Sequence, residues 1–311
     1  MQQTTNTILM IRPVSFRMNE QTAVNNYFQE DLDLKNAEIN AKAQEEFDAF
    51  VEKLKAVGIN VVVEHDDKLM DTPDSIFPNN WVSFHNNGDV ALYPMFAENR
   101  RKERRDEVFI RLENEGFKIE NIVDYTSAED EGVFLEGTGS LILDRVNRKA
   151  YCALSPRADE DLFIEFCEDF EYTPVVFVAN QTVEGKRLPI YHTNVMMCLA
   201  ETFVVICLGA IDDKKERKNV LKHLKEDGKE IIAISEVQMH QFAGNMLQLR
   251  GKDEQRYLVM SEAAHKSLSK DQINKIEKHC PIISSPLETI ETCGGGSARC
   301  MMAEVFLPKK V

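Results

Sequence analysis

Near its C-terminus the chain reads Thr292-Cys293-Gly294-Gly295-Gly296-Ser297-Ala298-Arg299-Cys300-Met301, and then continues as one apolar stretch over residues 301–307. That stretch has the pattern of a strand, yet it has no hairpin partner and no helix after it. The missing pieces stand at the other end of the chain. There an apolar strand Ile8-Leu9-Met10-Ile11 is followed by a helical pattern over 41–57 and a strand over 59–63. A unit whose last copy is split between the two ends implies a ring, because only a closed array lets the first strand complete the last unit.

Four unbroken copies lie between. Each runs polar junction, apolar strand, turn, apolar strand, helix, apolar strand. The first pairs Trp81-Val82-Ser83-Phe84-His85 with Val90-Ala91-Leu92-Tyr93 across Asn86-Asn87-Gly88-Asp89, then has an amphipathic stretch over 98–116 and a strand over 117–123. The second pairs Ser140-Leu141-Ile142-Leu143 with residues 149–154, adds a helix from Asp159, and ends on Pro174-Val175-Val176-Phe177-Val178. The third pairs residues 195–199 with 203–208, with a helix over 213–227 and a strand over 231–234; the fourth pairs 246–249 with 257–260, with a helix over 270–279 and the strand Ile282-Ile283. The junction residues Asn80, Gly139, Asn194, Asn245 and Arg299 are separated by 59, 55, 51 and 54 residues. The expected fold is therefore α/β, one domain over 1–311 built as a ring of five units. A plain two-domain α/β chain leaves the split unit unexplained.

Composition sets the outer bounds. A chain of 311 residues with 43% hydrophobic content can bury a large core. A formal charge of −15 argues against a nucleic-acid partner, and the basic run Arg100-Arg101-Lys102-Glu103-Arg104-Arg105 is short and interrupted by acid. No apolar run is long enough to cross a bilayer, and the N-terminal residues show no basic-then-apolar leader pattern. Seven cysteines without a CxxC pair fit reduced thiols, so a cytoplasmic location is expected. No HExxH or paired CxxC spacing points to a metal, and the glycine loop lacks the Lys-Ser/Thr of a phosphate loop; neither metal nor other cofactor is expected. The partner expected is a small molecule.

The ring places the chemistry. In an antiparallel hairpin the start of the first strand and the end of the second share one end, so the junctions gather on one rim. Cys300 stands at such a junction and Cys293 does not, which favours Cys300 as the nucleophile. Of seven histidines only His192 occupies a junction; an imidazolium there would lower the thiol pKa. Glu136, one unit earlier, is placed to orient the imidazole.

These residues resemble a family. Gly-Gly-Gly-x-x-Arg-Cys-Met, the Glu136-Gly137-Thr138-Gly139 junction and the His192-Thr193-Asn194 junction are similar to those of the guanidino-group-modifying enzymes, or penteins. The family includes arginine deiminases, dimethylarginine hydrolases and arginine:glycine amidinotransferases. The resemblance covers essentially the whole chain. It implies a five-bladed pseudo-fivefold α/β propeller and the catalytic set Cys300, His192 and Glu136. It implies also that Asp74 binds the substrate amine and that Arg157, in Ser155-Pro156-Arg157, holds the carboxylate. Arg101, or its neighbour Arg100, would be a second carboxylate ligand.

The departures carry the substrate expectation. Asn79 and Asn80 stand where arginine-processing members often have acids, and Asn194 stands where arginine deiminases have aspartate. An amide both donates and accepts, which suits a neutral ureido group better than a guanidinium. Together with Ile11-Arg12-Pro13 and Phe77-Pro78-Asn79-Asn80-Trp81, the pattern is similar to the citrulline-utilisation hydrolases. The resemblance thus implies a hydrolase cleaving a C–N bond, with citrulline going to ornithine, carbon dioxide and ammonia. Arginine deiminase, dimethylarginine hydrolase and amidinotransferase are the enzymatic alternatives. A non-catalytic, ribosome-associated propeller is the alternative of another class, and the complete Cys-His-Glu set weighs against it.

Overall fold

The computed structural model describes residues 2–310. Its strands are β1 (Thr7–Arg12), β2 (Asn60–His65), β3 (Val82–Phe84), β4 (Asp89–Leu92), β5 (Asn121–Asp124), β6 (Leu141–Asp144), β7 (Lys149–Leu154), β8 (Thr173–Val178), β9 (Asn180–Val183), β10 (Lys186–Pro189), β11 (Met197–Leu199), β12 (Phe203–Ile206), β13 (Glu230–Ala233), β14 (Leu247–Arg250), β15 (Arg256–Ser261), β16 (Ile282–Ser285) and β17 (Ala303–Glu304). They form five three-stranded mixed sheets, ordered β3-β4-β5, β6-β7-β8, β11-β12-β13, β14-β15-β16 and β17-β1-β2, and a separate hairpin β9-β10. No sheet closes on itself. In each of the five, the first pair is antiparallel and the second parallel, the parallel step needing the crossover that a helix supplies.

The split unit is present. Ile8 stands opposite Glu304 and Leu9 opposite Ala303, while β1 runs parallel to β2 from Thr7 beside Asn60 to Arg12 beside His65. The C-terminal strand is shorter than the apolar pattern over 301–307 suggests. Residues 299–302 are spent on a turn, with Met302 N bonded to Arg299 O, which places Cys300 on the turn rather than in the strand.

Sequence chemistry fixes the crossover helices. The helix Asn36–Ala56 buries Ile39, Ala43, Phe47, Phe50, Val51 and Leu54, a stripe at three- and four-residue spacing that covers one sheet. Asp159 and Asp213 cap the helices Glu160–Asp169 and Lys214–Glu226 by accepting from first-turn amides, and Ser269 with Gln272 forms a capping box at Lys270–Glu277. The expected helix over 98–116 is two pieces, a 3₁₀ turn Glu98–Glu103 and an α-helix Asp106–Asn114. The buried Arg100–Glu103 ion pair holds the first piece as a separate turn. Among the described residues no helix is long and apolar enough to cross a membrane.

Each junction is a tight turn leading into the first strand of a sheet, and successive junctions touch. Asn79 Nδ2 donates to Thr138 Oγ1 (3.3 Å), Thr193 Oγ1 to Ser140 O (2.6 Å), Asn245 Nδ2 to Asn194 O (3.1 Å), and Arg299 N to Asn245 Oδ1 (3.0 Å). The fifth step is apolar: a Cβ on Gly294 would lie 2.7 Å from the Phe77 ring.

Leu9 is fully buried on β1, which has β2 on one side and β17 on the other. Leu9→Ala is expected to cost about 2–5 kcal/mol, read as a lower urea midpoint, whereas the exposed Val24→Ala leaves the midpoint unchanged. An unaltered midpoint for Leu9→Ala would remove the split unit from the core.

Candidate active site

The junction turns deliver their side chains to one small cavity. Its walls include Asp74, Phe77, Asn80, Arg100, Arg157, Tyr191, His192 and Cys300, and the segment carrying Thr22 and Asn26 covers it. The space left is about that of one water.

Glu136 and His192 are each the residue just before a short helical turn, Gly137–Ser140 and Thr193–Met196. Their side chains meet, with His192 Nε2 2.7 Å from Glu136 Oε2. Two features force this approach. Gly137 adopts φ +44°, and a Cβ there would lie 2.5 Å from Asn79 O; a Cβ on Gly139 would lie 2.7 Å from His192 Nδ1 and 2.5 Å from Asn80 Nδ2. Glu136 Oε1 accepts from Phe96 N (3.0 Å), and Arg157 Nη1 stands 3.5 Å from Oε2. Burial pushes the Glu136 carboxyl up, but Arg157 and the His192 hydrogen bond outweigh it and hold the group at about 2. Burial also governs His192 and lowers it to about 4, with Glu136 pulling the other way. Burial thus works against the imidazolium in this site, and the Glu136 carboxylate works for it. His192 Nδ1 is buried without a partner and is free to take up a proton.

Cys300 is buried beside two amides. Asn194 Nδ2 lies 3.3 Å and Asn245 Nδ2 3.2 Å from Sγ. Gly296 makes room, since a Cβ there would meet Cys300 Cβ at 3.3 Å. Cys293 lies in the helix Glu288–Gly294 with its thiol pushed up to about 11 by burial, and it does not line the cavity.

The charged side chains are placed as follows. Asp74 Oδ2 accepts from Asn19 Nδ2 (2.8 Å) and Thr22 Oγ1 (3.1 Å), while Oδ1 is buried without a partner. Burial raises the Asp74 carboxyl against the pull of Arg100, and an ammonium arriving at Oδ1 would supply a counter-charge. Arg157 donates to Thr22 O (2.8 Å) and through Nε to Asn25 Oδ1 (2.8 Å). Of the two adjacent arginines, Arg100 lines the cavity, bonding Asn80 Oδ1 (2.8 Å), Phe77 O (3.1 Å) and Glu103. Arg101 lies outside it, donating to Met95 O and standing 3.4 Å from Glu129. The 3₁₀ turn sends neighbouring side chains in different directions, which corrects the expectation for Arg101 in favour of Arg100. Asn79 is also off the cavity wall; its Nδ2 goes to Thr138 and its Oδ1 accepts from Asn80. Sequence reasoning missed Asn19, Thr22, Asn25 and Asn26, which lie in an irregular polar segment with no periodicity. It marked Asn245 as a junction without giving it a role. Among the described residues no group of three or more His, Cys, Asp or Glu side chains is arranged to hold a metal ion.

A cysteine sulfur, an imidazole nitrogen without a partner and a carboxylate bonded to that imidazole thus stand together at one cavity, an arrangement suited to cysteine-dependent hydrolysis. The profile of the family N,N dimethylarginine dimethylhydrolase, eukaryotic, matches residues 12–307, and the chain belongs to this family, within the guanidino-group-modifying superfamily of hydrolases acting on C–N bonds. ArgZ, an arginine dihydrolase from the ornithine-ammonia cycle in Cyanobacteria, superposes with a TM-score of 0.73 at 17% identity over 97% of this chain. This chain spans only 41% of that protein, but 99% of its separately solved N-terminal domain bound to product (TM-score 0.69, 18% identity). A dimethylarginine dimethylaminohydrolase captured as an adduct with S-methyl-L-thiocitrulline superposes with a TM-score of 0.62 at 15% identity, over 97% of this chain and 99% of that one. At these identities the likeness is one of fold. No curated protein sequence matches the chain.

The depressed His192 makes a pH prediction. The unfolded chain takes up the imidazole proton near 6.5 and the folded chain only near 4, so stability falls as pH drops through that window. Urea midpoints measured from pH 6.5 to 4 are expected to decline in the wild type and to decline less in His192→Gln; equal slopes would refute a buried neutral imidazole.

Proposed function

We propose that this chain hydrolyses the ureido group of citrulline, giving ornithine, carbon dioxide and ammonia through a covalent Cys300 intermediate. The observation that carries the proposal is the amide character around the nucleophile. Asn194 and Asn245 contact Sγ, and Asn80 lies on the cavity wall. The two nearby carboxylates have other work: Glu136 is tied to His192 and Phe96 N, and Asp74 is bonded to Asn19 and Thr22. A guanidinium would bring a positive charge to amides that cannot neutralise it. A ureido oxygen instead accepts from an amide N–H, and the buried, unpartnered Asn194 Oδ1 is an acceptor for the ureido NH₂.

In this mechanism His192 Nδ1 takes the Cys300 proton and the thiolate attacks the ureido carbon. The imidazolium, favoured by Glu136, returns the proton to the departing nitrogen of ornithine, leaving a carbamoyl group on sulfur. His192 then deprotonates a water that attacks the same carbon. Carbamic acid leaves, the sulfur is protonated, and carbamic acid decays to carbon dioxide and ammonia. Asp74 would take the substrate ammonium, with Arg157 and Arg100 on its carboxylate. The Arg157 donors now given to Asn25 and Thr22 O would be released as the covering segment moves. In the same proposal the five sheets stand as blades of a pseudo-fivefold propeller, which the succession of junction contacts supports. The ordinary cytoplasmic location of amino-acid catabolism fits this reading.

Purified protein incubated with citrulline, arginine and dimethylarginine tests it by the appearance of ornithine, citrulline and ammonia. Citrulline is expected to give ornithine, and Cys300→Ala to give none. Asn194→Asp should lower the ratio of kcat/KM for citrulline over arginine at least about tenfold, or ~1.4 kcal/mol. Turnover of arginine or dimethylarginine without citrulline would overturn the substrate assignment, and activity surviving Cys300→Ala would overturn the mechanism.

A further inference from the structure

The fourth junction places a hydrogen-bond donor against the Cys300 sulfur. We propose that Asn245 is a positioning residue that holds Cys300 Sγ as a hydrogen-bond acceptor, so that the site favours the thiolate over the thiol.

The orientation of the Asn245 amide is fixed from both sides. Arg299 N–H, which can only donate, lies 3.0 Å from Oδ1, and Asn194 O, which can only accept, lies 3.1 Å from Nδ2. The NH₂ end therefore faces Sγ at 3.2 Å, with one hydrogen for the Asn194 carbonyl and the other for sulfur. Asn245 is fully buried, so water does not compete for that hydrogen. An N–H aimed at sulfur is worth more against a negative sulfur than a neutral one, and the difference shifts the balance toward thiolate. Asn194 also approaches Sγ, but its Oδ1 has no partner, and a half-turn of its amide would exchange donor for acceptor. That freedom suits substrate contact and not a fixed grip on sulfur.

No cation replaces this role. Of the charged and titratable groups around the cavity, Arg100 is paired with Glu103, Arg157 stands by Glu136 and is bonded to Asn25, His192 is bonded to Glu136, and the Asp74 carboxyl is pushed up by burial and bonded to Asn19 and Thr22. The Tyr191 hydroxyl donates to Gly295 O, and Arg299, next in the chain, turns to Met302 O and Glu304.

The inference rests on Cys300 being the nucleophile but not on which substrate it attacks, so the test uses no substrate. The rate of alkylation of Cys300 by iodoacetamide, located by mass spectrometry, is measured against pH in the wild type, Asn245→Asp, Asn245→Leu and Asn245→Ser. Asn245→Asp keeps the shape and the acceptor for Arg299 N–H, which guards against a folding defect, but it adds a charge that itself opposes a thiolate, so the uncharged Leu variant decides the test. Both Asp and Leu variants are expected to move the profile upward by about one pH unit, about tenfold slower alkylation on its rising limb, with the high-pH plateau unchanged. The Ser variant, with a short donor, should restore part of the shift. A Leu profile that superimposes on the wild type would overturn the proposal, even if turnover fell. So would a wild-type Cys300 that reacts at pH 7 no faster than the other cysteines. Shifted variants alongside a wild type inactive on citrulline would sink the substrate assignment and leave this role standing.

Discussion

Close approach of the junction turns is the constraint on which everything else depends. Five turns must pack edge to edge in the interior, and ordinary side chains would hold them apart. The sequence solves this with residues that have no Cβ or a short polar side chain. A methyl group at Gly139 would collide with both Asn80 and His192, and one at Gly244 would lie 2.3 Å from Val195 O. Several of the side chains present are Asn, Thr or Ser, which bond the neighbouring turn and so offset the cost of burying its backbone. The catalytic geometry follows from that packing. Glu136 reaches His192, and Asn245 reaches Cys300, because their turns are already in contact.

The same packing explains the electrostatics. The interior turns bury Glu136, Arg157, Arg100, Glu103 and Asp74, charges that would be costly unpaired. Each has a partner except for one atom, Asp74 Oδ1. Asp74 Oδ1, His192 Nδ1 and Asn194 Oδ1 are buried polar atoms with no partner, and they belong to residues on the cavity wall or touching the nucleophile. On the proposed reading a bound ligand would satisfy them, with a cationic donor at Asp74, a proton at His192 and an N–H at Asn194. Buried unpartnered atoms occur also away from the site, at Ser15, Tyr151 and Gln181 among others.

Much of this was readable from sequence because repetition converts spacing into position. Cys300, His192 and Glu136 were found as residues at equivalent places in a 51–59-residue period, and the split last unit was found by its missing strands. What escaped lacks period. The segment from Asn19 to Gln29 holds only a single helical turn, Glu20–Ala23, too short to show periodicity, and it crosses the chain to meet Asp74, Arg157 and the glycine loop near 294. Arg100 and Arg101 are indistinguishable in a pattern read as a long amphipathic helix, and only the 3₁₀ turn separates them. The hairpin β9–β10 was unforeseen, because its alternating polar residues form an outlying ribbon and not a strand of any of the five sheets. The balance at His192, where burial opposes the imidazolium and the Glu136 carboxylate favours it, is likewise invisible to spacing.

That last point changes the division of labour on the proposed route. On that route the acid that protonates the leaving nitrogen is created when the thiol gives up its proton to His192. Charge separation then lies between sulfur and imidazole, inside a small buried cavity, where each partner already faces its own support. The imidazolium has Glu136 at 2.7 Å, and the thiolate has the amide of Asn245 at 3.2 Å. Neither support needs to reorganise during the reaction, which is where preorganised dipoles contribute most. It also accounts for amides near sulfur where carboxylates would repel it. A neutral substrate can be bound by such amides, whereas a cationic one would need the very carboxylates that would oppose the thiolate.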